Sequence, residues 1–372
     1  MKSNSNLKQS KVFFIIPTLN GGGAERVLIS IANYFVQLKC TPVIIALNQC
    51  EPAYVINPAV KVIFLVRRQG KRSLRLYYIF QTSFKLMALI LRQKPVCVLS
   101  FITSANLWAG ITCTITNTPF IVSERTTPDR TINQFSYLLK LITALLYKKA
   151  KAVVVSAKGV EDCLRKNELF KDITNVYRIP NAVPEFDNPS TRLVHSRPFI
   201  LGVGRLSYVK GFDQLITAFS NAQLDGVDLL IVGDGEEKSN LICQIYNLGL
   251  RDRVKLLGAK TNLQDYYSQA EIFVLPSRNE GYPNALVEAM SFGCPCIAMN
   301  CEFGPSEIIK NKKNGILLPN GSIDALSNTL KQLIADPLLK DNLSREAIKI
   351  NKTNNADQLL GKWERLILSR LT

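Results

Sequence analysis

"IFVLPSRNEGYPNALVEAM", residues 272–290, reads as a strand, a loop and a helix in succession. The opening run is apolar and β-branched, as a buried strand requires. Pro283 suits a first helical position, so a helix is expected from about there. Glu280 then falls in the loop before the helix, and Glu288 about a turn and a half inside it. The two carboxylates are therefore not a solvated pair on one helix; both can line one groove. The amides of Gly281, Tyr282 and Asn284 would crown the helix N-terminus, a place that attracts phosphate. A carboxylate accepts two hydroxyl hydrogen bonds, which suits a ribose diol or a sugar.

The same strand–loop–helix unit recurs on both sides. Upstream, "KVFFIIP" (11–17), "PVIIAL" (42–47), "KVIFLV" (61–66), "PVCVLSF" (95–101), "PFIVSE" (119–124) and "KAVVVSA" (151–157) read as strands. Helical stretches separate them, among them "GAERVLISIANYFVQL" (23–38) and 134–149. A break follows at "RIPNAVPEFDNPSTRLVHSRP" (178–198), with four prolines. The pattern restarts at "FILGVGRL" (199–206) and continues through "DLLIVGDG", "RVKLLGA" and "CPCIAMN". Such alternation predicts an α/β protein with parallel sheets covered by helices on both faces. At 372 residues, two domains are expected: 1–180 and 197–355, with the helix 356–372 packing back on the first. Two such halves leave a cleft, and ligands bind outside the carboxyl ends of the strands.

In the loop after "FILGVG", Arg205 and Lys210 follow a strand end directly, and a helix begins near Phe212. Gly202 and Gly204 let the backbone pass close to a ligand. Arg and Lys five apart on a turn can converge on a diphosphate, one as a fork and one as a point charge. A dinucleotide fingerprint fails here, because Ser207 stands where its third Gly belongs, and no P-loop Gly-Lys-Ser/Thr occurs.

Composition narrows the chemistry. The single histidine, His195, lies in the Pro-rich break, so His-based zinc sites and Ser–His–Asp triads are excluded. Nine cysteines without paired spacing indicate reduced thiols in the cytosol. Cys294 and Cys296 read as small buried residues. No signal peptide or spanning helix is expected. The formal charge of +17 is uneven, with no acidic residue between Glu51 and Glu124. Within that gap, residues 61–94 carry nine Lys or Arg beside an aromatic, apolar helical half. That combination suits an anionic membrane surface, with Arg67, Arg68, Lys71, Arg72 and Arg75 as candidate contacts. The simpler reading is a core helix with a solvated basic end. Nucleic acid is not expected as a partner, since no binding motif accompanies the charge.

Taken together, these stretches resemble glycosyltransferase family 4. The resemblance rests on "GRLSYVKG", "IVGDGEE", "LLGAKTNLQDYYSQAEIFVLPS", the Glu280–Glu288 pair, "GPSEII" (304–309) and "LNGGGAERV" in the first half. It implies the GT-B fold, in which two Rossmann-like domains face each other, and a retaining transfer without a metal. By position, it implies Arg205 and Lys210 on the donor diphosphate, Glu288 on the ribose and Glu280 beside the donor sugar. It further implies that Gly258, Lys260 and Thr261 meet the base and that Gly22 and Gly23 approach the phosphates. Ser306 and Glu307 would belong to a further loop facing the donor. The absence of a D-x-D motif independently disfavours a Mn-dependent enzyme.

One position departs from the family. Many relatives carry His where Arg125 stands, so Glu124 and Arg125 are candidates for acceptor or donor contact, or for a structural ion pair. The likeness is to bacterial enzymes that extend polyprenyl-diphosphate-linked oligosaccharides. It implies a UDP-sugar as co-substrate, no cofactor, a lipid-linked acceptor and a place on the inner face of the cell membrane. The alternatives are a GDP-mannose-dependent transferase and a non-catalytic protein of the membrane surface.

Overall fold

The computed structural model describes residues 9–67 and 75–371. The chain forms two compact units, residues 1–182 with 357–372, and 183–356.

The first unit holds strands β1 (Lys11–Ile16), β2 (Thr41–Asn48), β3 (Lys61–Val66), β4 (Cys97–Phe101), β5 (Phe120–Glu124), β6 (Ala152–Val155) and β7 (Val176–Arg178). Between them run helices α1 (Gly23–Gln37), α2 (Arg75–Gln93), α3 (Thr103–Ile115), α4 (Tyr137–Lys149) and α5 (Lys158–Arg165). All strands pair in parallel, in the order β3-β2-β1-β4-β5-β6-β7. Because helices cover both faces, successive residues of one strand are all buried but enter different cores. Val12, Phe14 and Ile16 pack with Phe35 of α1 on one side. Phe13 and Ile15 pack with Leu86 of α2, Ala109 of α3 and Tyr147 of α4 on the other.

The second unit holds β8 (Phe199–Val203), β9 (Asp228–Val232), β10 (Val254–Leu256), β11 (Ile272–Leu275), β12 (Cys296–Asn300) and β13 (Ile316–Pro319). Its helices are α6 (Phe212–Ala222), α7 (Lys238–Asn247), α8 (Leu263–Gln269), α9 (Asn284–Ser291), α10 (Pro305–Ile308), α11 (Ile323–Ala335), α12 (Pro337–Ala347) and α13 (Ile350–Thr353). The sheet is again parallel, ordered β10-β9-β8-β11-β12-β13. The last helix, α14 (Ala356–Leu371), returns to the first unit. There Leu359, Trp363 and Ile367 join the core under α1.

Some elements differ in detail from the sequence reading. The helix expected over 134–149 starts at Tyr137, after two short 3-10 turns at Pro128–Arg130 and Ile132–Gln134. The edge strands β7 and β13 are only three and four residues long. His195 is not loose in the linker, since its ring nitrogen lies 2.7 Å from buried Asp228. Cys294 and Cys296 are buried, and burial pushes both thiols up.

In each sheet the strand order reverses next to the first strand, between β1 and β4 and between β8 and β11. In open parallel sheets, ligands bind at the loops that leave the carboxyl ends of strands at such a reversal.

Candidate donor-binding site

In the second unit the two loops at the reversal are those after β8 and β11. They carry Arg205 and Lys210 on one side and Glu280 on the other. After β8 the chain makes a single 3-10 turn, Tyr208–Lys210, then Gly211 at φ +68° opens α6. Gly211 is required by space as well as by φ, because a Cβ there would lie 2.1 Å from the Pro276 carbonyl oxygen. The two loops therefore meet backbone to backbone. Arg278 N–H donates to the Val209 carbonyl at 2.8 Å.

Side chains then tighten the junction. The Arg278 guanidinium forks onto Asp213 at 2.7 and 2.6 Å, donates to the Tyr208 carbonyl at 2.7 Å and lies 4.0 Å over the Tyr208 ring. A bidentate, planar contact of this kind fixes orientation as well as distance. It holds the Tyr208–Lys210 turn against the loop bearing Glu280. The result is an ion pair, Lys210 Nζ to Glu280 Oε1 at 2.6 Å. Ser277 Oγ donates to the same oxygen at 2.6 Å. Oε2 of Glu280 makes no hydrogen bond among the described residues. Arg205 is exposed, and its guanidinium makes no hydrogen bond among the described residues. Arg205 thus supplies an uncompensated charge, whereas Lys210 supplies one already shared with a carboxylate.

Glu288 sits inside α9, 3% exposed, and accepts from Tyr267 of α8 at 3.1 Å. A helix does begin beside Pro283, at Asn284, with Pro283 itself in the capping position. The Tyr282 hydroxyl accepts from Asn354, and burial pushes its pKa up to about 12. Gly258 stands at φ +70°, and its carbonyl accepts from Gly233 N–H at 2.9 Å. Gly233 at φ +148° is pressed so closely on Gly204 that a Cβ would lie 1.8 Å from the Gly204 oxygen. Gly202 answers to packing rather than to a ligand, since a Cβ there would press on the Phe212 ring at 3.0 Å. Lys260 and Thr261 are exposed ahead of α8, and Ser306 and Glu307 are exposed on α10.

In the first unit, Gly22 caps α1 with extended backbone. A Cβ at Gly22 would lie 2.3 Å from Glu25 Oε2, so a carboxylate already stands against this helix N-terminus. At the strand reversal, Ile102 takes φ +75°, an uncommon strain for a β-branched residue. Glu124 is wholly buried and accepts from Thr103 at 2.8 Å, from Asn106 at 2.9 Å and from Tyr147. Burial raises its pKa, against those donors. As it stands, Glu124 has no surface to offer a ligand. Nor does Arg125 turn to it: Arg125 donates to Ser123 at 2.8 Å and to Asn181 at 2.5 Å. The guanidinium lies over the rings of Phe101 and Trp363. Burial lowers its pKa to about 9, so it stays charged at neutral pH, and its Nη2 lacks a partner among the described residues. Among the candidate membrane contacts, Arg67 is exposed; Arg68, Lys71, Arg72 and the Arg75 side chain lie outside the described residues.

Sequence reading missed Arg278, Asp213, Ser277 and Tyr267. Arg278 stands two residues before Glu280, yet Asp213 lies 65 positions away and meets it only because β8 and β11 are neighbours. Among the described residues no three of His, Cys, Asp and Glu gather as a metal site.

Comparison with known proteins supplies the family and the fold. Residues 183–350 match the family model for glycosyl transferases group 1, and residues 21–185 that for glycosyltransferase family 4. The chain is 28% identical over 355 residues to the amylovoran biosynthesis glycosyltransferase AmsD of Erwinia amylovora, covering 94% of this chain and 96% of that one. It is 27% identical over 346 residues to a Campylobacter jejuni 4-alpha-N-acetylgalactosaminyltransferase, covering 89% and 92%. That enzyme's name gives N-acetylgalactosamine-N,N'-diacetylbacillosaminyl-diphospho-undecaprenol as what it acts on. Among solved structures, Anabaena HepE in complex with UDP-glucose superposes with TM-score 0.79 at 19% identity, covering 97% of this chain and all of that one. At that identity the likeness speaks for the fold, which is GT-B.

Proposed function

Because the chain belongs to glycosyltransferase family 4, we propose that it transfers a hexose or N-acetylhexosamine from a UDP-sugar to a polyprenyl-diphosphate-linked saccharide. The transfer would proceed with retention and without a metal, in the assembly of a bacterial surface polysaccharide. The observation that carries this reading is the half-used charge set at the second unit's strand reversal. Among the described residues Arg205 makes no hydrogen bond, Lys210 is shared with Glu280, and Oε2 of Glu280 accepts none.

Each part has a task. Arg205 takes two oxygens of the diphosphate through its fork, and Lys210 adds a compact charge. Because Lys210 also holds Glu280, a diphosphate drawn to Lys210 lies beside that carboxylate. The free oxygen of Glu280 accepts from a sugar hydroxyl and steadies positive charge at the reacting carbon. The bond from that carbon to the diphosphate oxygen breaks, and the leaving charge falls on Arg205 and Lys210. The acceptor hydroxyl bonds to the carbon from the same face, and its proton passes to the departing diphosphate. Glu288, anchored by Tyr267, takes the ribose hydroxyls. The relatives support the substrate classes: one is named for a polysaccharide, another for a diphospho-undecaprenol acceptor, and a structural neighbour holds UDP-glucose.

A thermal-shift panel of UDP, GDP, CDP and ADP tests the donor half, since a ligand that binds only the folded state raises Tm. UDP alone should raise Tm, and Lys210→Ala should abolish the rise. A shift with GDP alone would replace this reading with a mannosyltransferase. No shift with any nucleotide would leave the charge set without its ligand and refute the donor assignment.

A further inference from the structure

The loop that carries Glu280 is fixed on both sides of that residue. Upstream stands the Arg278 fork onto Asp213, and the Arg278 carbonyl accepts from Asn320 Nδ2 at 3.2 Å. Downstream the Tyr282 hydroxyl accepts from Asn354 Nδ2. Between the two fixed residues lie Asn279, Glu280 and Gly281.

The second fixed point differs in kind from the first. The Arg278 fork joins two loops of one strand reversal, whereas Asn354 comes from the far end of the unit. It stands two residues before Ala356, where the unit ends. Its backbone carbonyl accepts from the N–H of Val183, where the chain enters the unit, at 2.9 Å. One residue therefore joins the entry and exit of the chain and also holds the Glu280 loop.

Asn354 is itself firmly seated. It is 6% exposed, its N–H donates to the Ile350 carbonyl at 2.8 Å, and its Oδ1 accepts from Thr353 at 3.1 Å. Ile350 of α13 packs in one core with Leu286 and Met290 of α9. Asn351 Nδ2 donates to the Ser291 carbonyl at the last residue of α9, at 2.9 Å. The Tyr282 ring packs against that same core. A buried amide and a buried hydroxyl are costly to leave unpaired, so this bond is kept.

The Glu280 carboxylate depends on where its backbone lies. Lys210 and Ser277 both meet Oε1 at 2.6 Å, which leaves little slack. Tyr282 is only two residues away, so a change at its hydroxyl reaches Glu280 along a short length of chain whose other end is clamped.

We propose that Asn354 is a positioning residue for sugar transfer: by holding Tyr282 it sets the backbone of Glu280 and ties it to the point where the chain enters and leaves the unit. The inference rests on the reading of Glu280 as the carboxylate beside the reacting carbon. It divides the site into two tasks. Arg205 and Lys210 on the β8 loop and Glu288 inside α9 lie outside the suspended stretch and hold the nucleotide. Loss of the Asn354–Tyr282 bond should therefore lower turnover and spare nucleotide binding.

The full chain carries the test. UDP is the probe of binding, and UDP-glucose, UDP-galactose and their N-acetyl forms are the probes of turnover, read as UDP release. Tyr282→Phe removes the hydroxyl alone, and Asn354→Ala removes the amide. Each should lower kcat about tenfold on the fastest donor while the Kd for UDP stays within about twofold. The double variant should be no worse than either single one. Glu280→Gln is the control, since its loss of turnover shows that the carboxylate acts. If Glu280→Gln is inactive while Tyr282→Phe turns over at the wild-type rate, the inference fails and the reading of Glu280 stands. Weaker UDP binding in step with turnover would make the bond part of the packing of α9 and would also overturn the inference. So would additive losses in the double variant. Full activity in Glu280→Gln, or a wild type that consumes no UDP-sugar of the panel, would overturn the reading of Glu280 and this inference with it.

Discussion

The two sheets reverse strand order at equivalent places, yet the loops there are finished in opposite ways. In the second unit, the reversal leaves Arg205 without a partner among the described residues and holds Lys210 against Glu280 by a clamp outside the contact itself. In the first, charge is consumed internally. Glu124 is saturated by three donors, Glu25 stands against the α1 N-terminus, and Ile102 holds a strained backbone where a ligand loop would begin. A shared topology therefore fixes where a ligand can bind but not what it is. The polar groups left unsatisfied decide that.

If the second reversal is the charged one, Lys210→Ala should cut kcat by about 10²–10³-fold, the scale for removing one preorganised electrostatic group. Near-normal turnover in a sugar-transfer assay would erase the contrast. Next comes the first unit's internal use of charge. Glu124→Ala takes the acceptor from the buried Thr103 and Tyr147 hydroxyls, while Asn106 keeps Ser123, and should cost about 3 kcal/mol in urea unfolding. Burial raises the Glu124 pKa, so the native state keeps this proton where the unfolded chain has released it. Its contribution is complete below the ordinary carboxyl range and is lost as pH rises through the raised native value. Glu124→Gln should flatten that slope, and a slope unchanged in the variant would mean the proton is held elsewhere.

The clamp offers a smaller, sharper test. Arg278→Ala and Asp213→Ala should each lower kcat/KM about tenfold, and the double variant should be no worse than the weaker single one. Additive losses would show that the two residues act separately. Arg278→Lys should recover only part of the loss, because it cannot fork. Smallest is Ile102→Gly, where relief of backbone strain offsets lost side-chain burial. Its stability should stay within about 1 kcal/mol of wild type. A larger loss would show that the side chain, rather than the strained backbone, matters at the first reversal.

How much of this was legible follows from what is local. The alternation of β-branched runs with helical stretches predicted both sheets, because a buried strand and its covering helix leave separate periodic signatures. Glu280 in a loop and Glu288 within a helix were readable from Pro283 alone. The Arg278–Asp213 clamp was not, since it depends on which strands become neighbours. Nor was the fate of Glu124, because a carboxylate at a strand end looks the same whether it faces solvent or Tyr147.

The return of α14 to the first unit has a consequence for biosynthesis. Trp363, Leu359 and Ile367 fill a core whose other members include residues of β1, α1 and β4. A ribosome emits the N-terminal unit's strands long before it emits that helix, and the whole second unit is made in between. Until then the nascent sheet keeps an uncovered apolar flank beside Phe35 and Phe101, of the sort that invites chaperones. The second unit, continuous from Val183 to Ala356, waits for nothing downstream. It is therefore expected to reach its native packing first, though it is translated second.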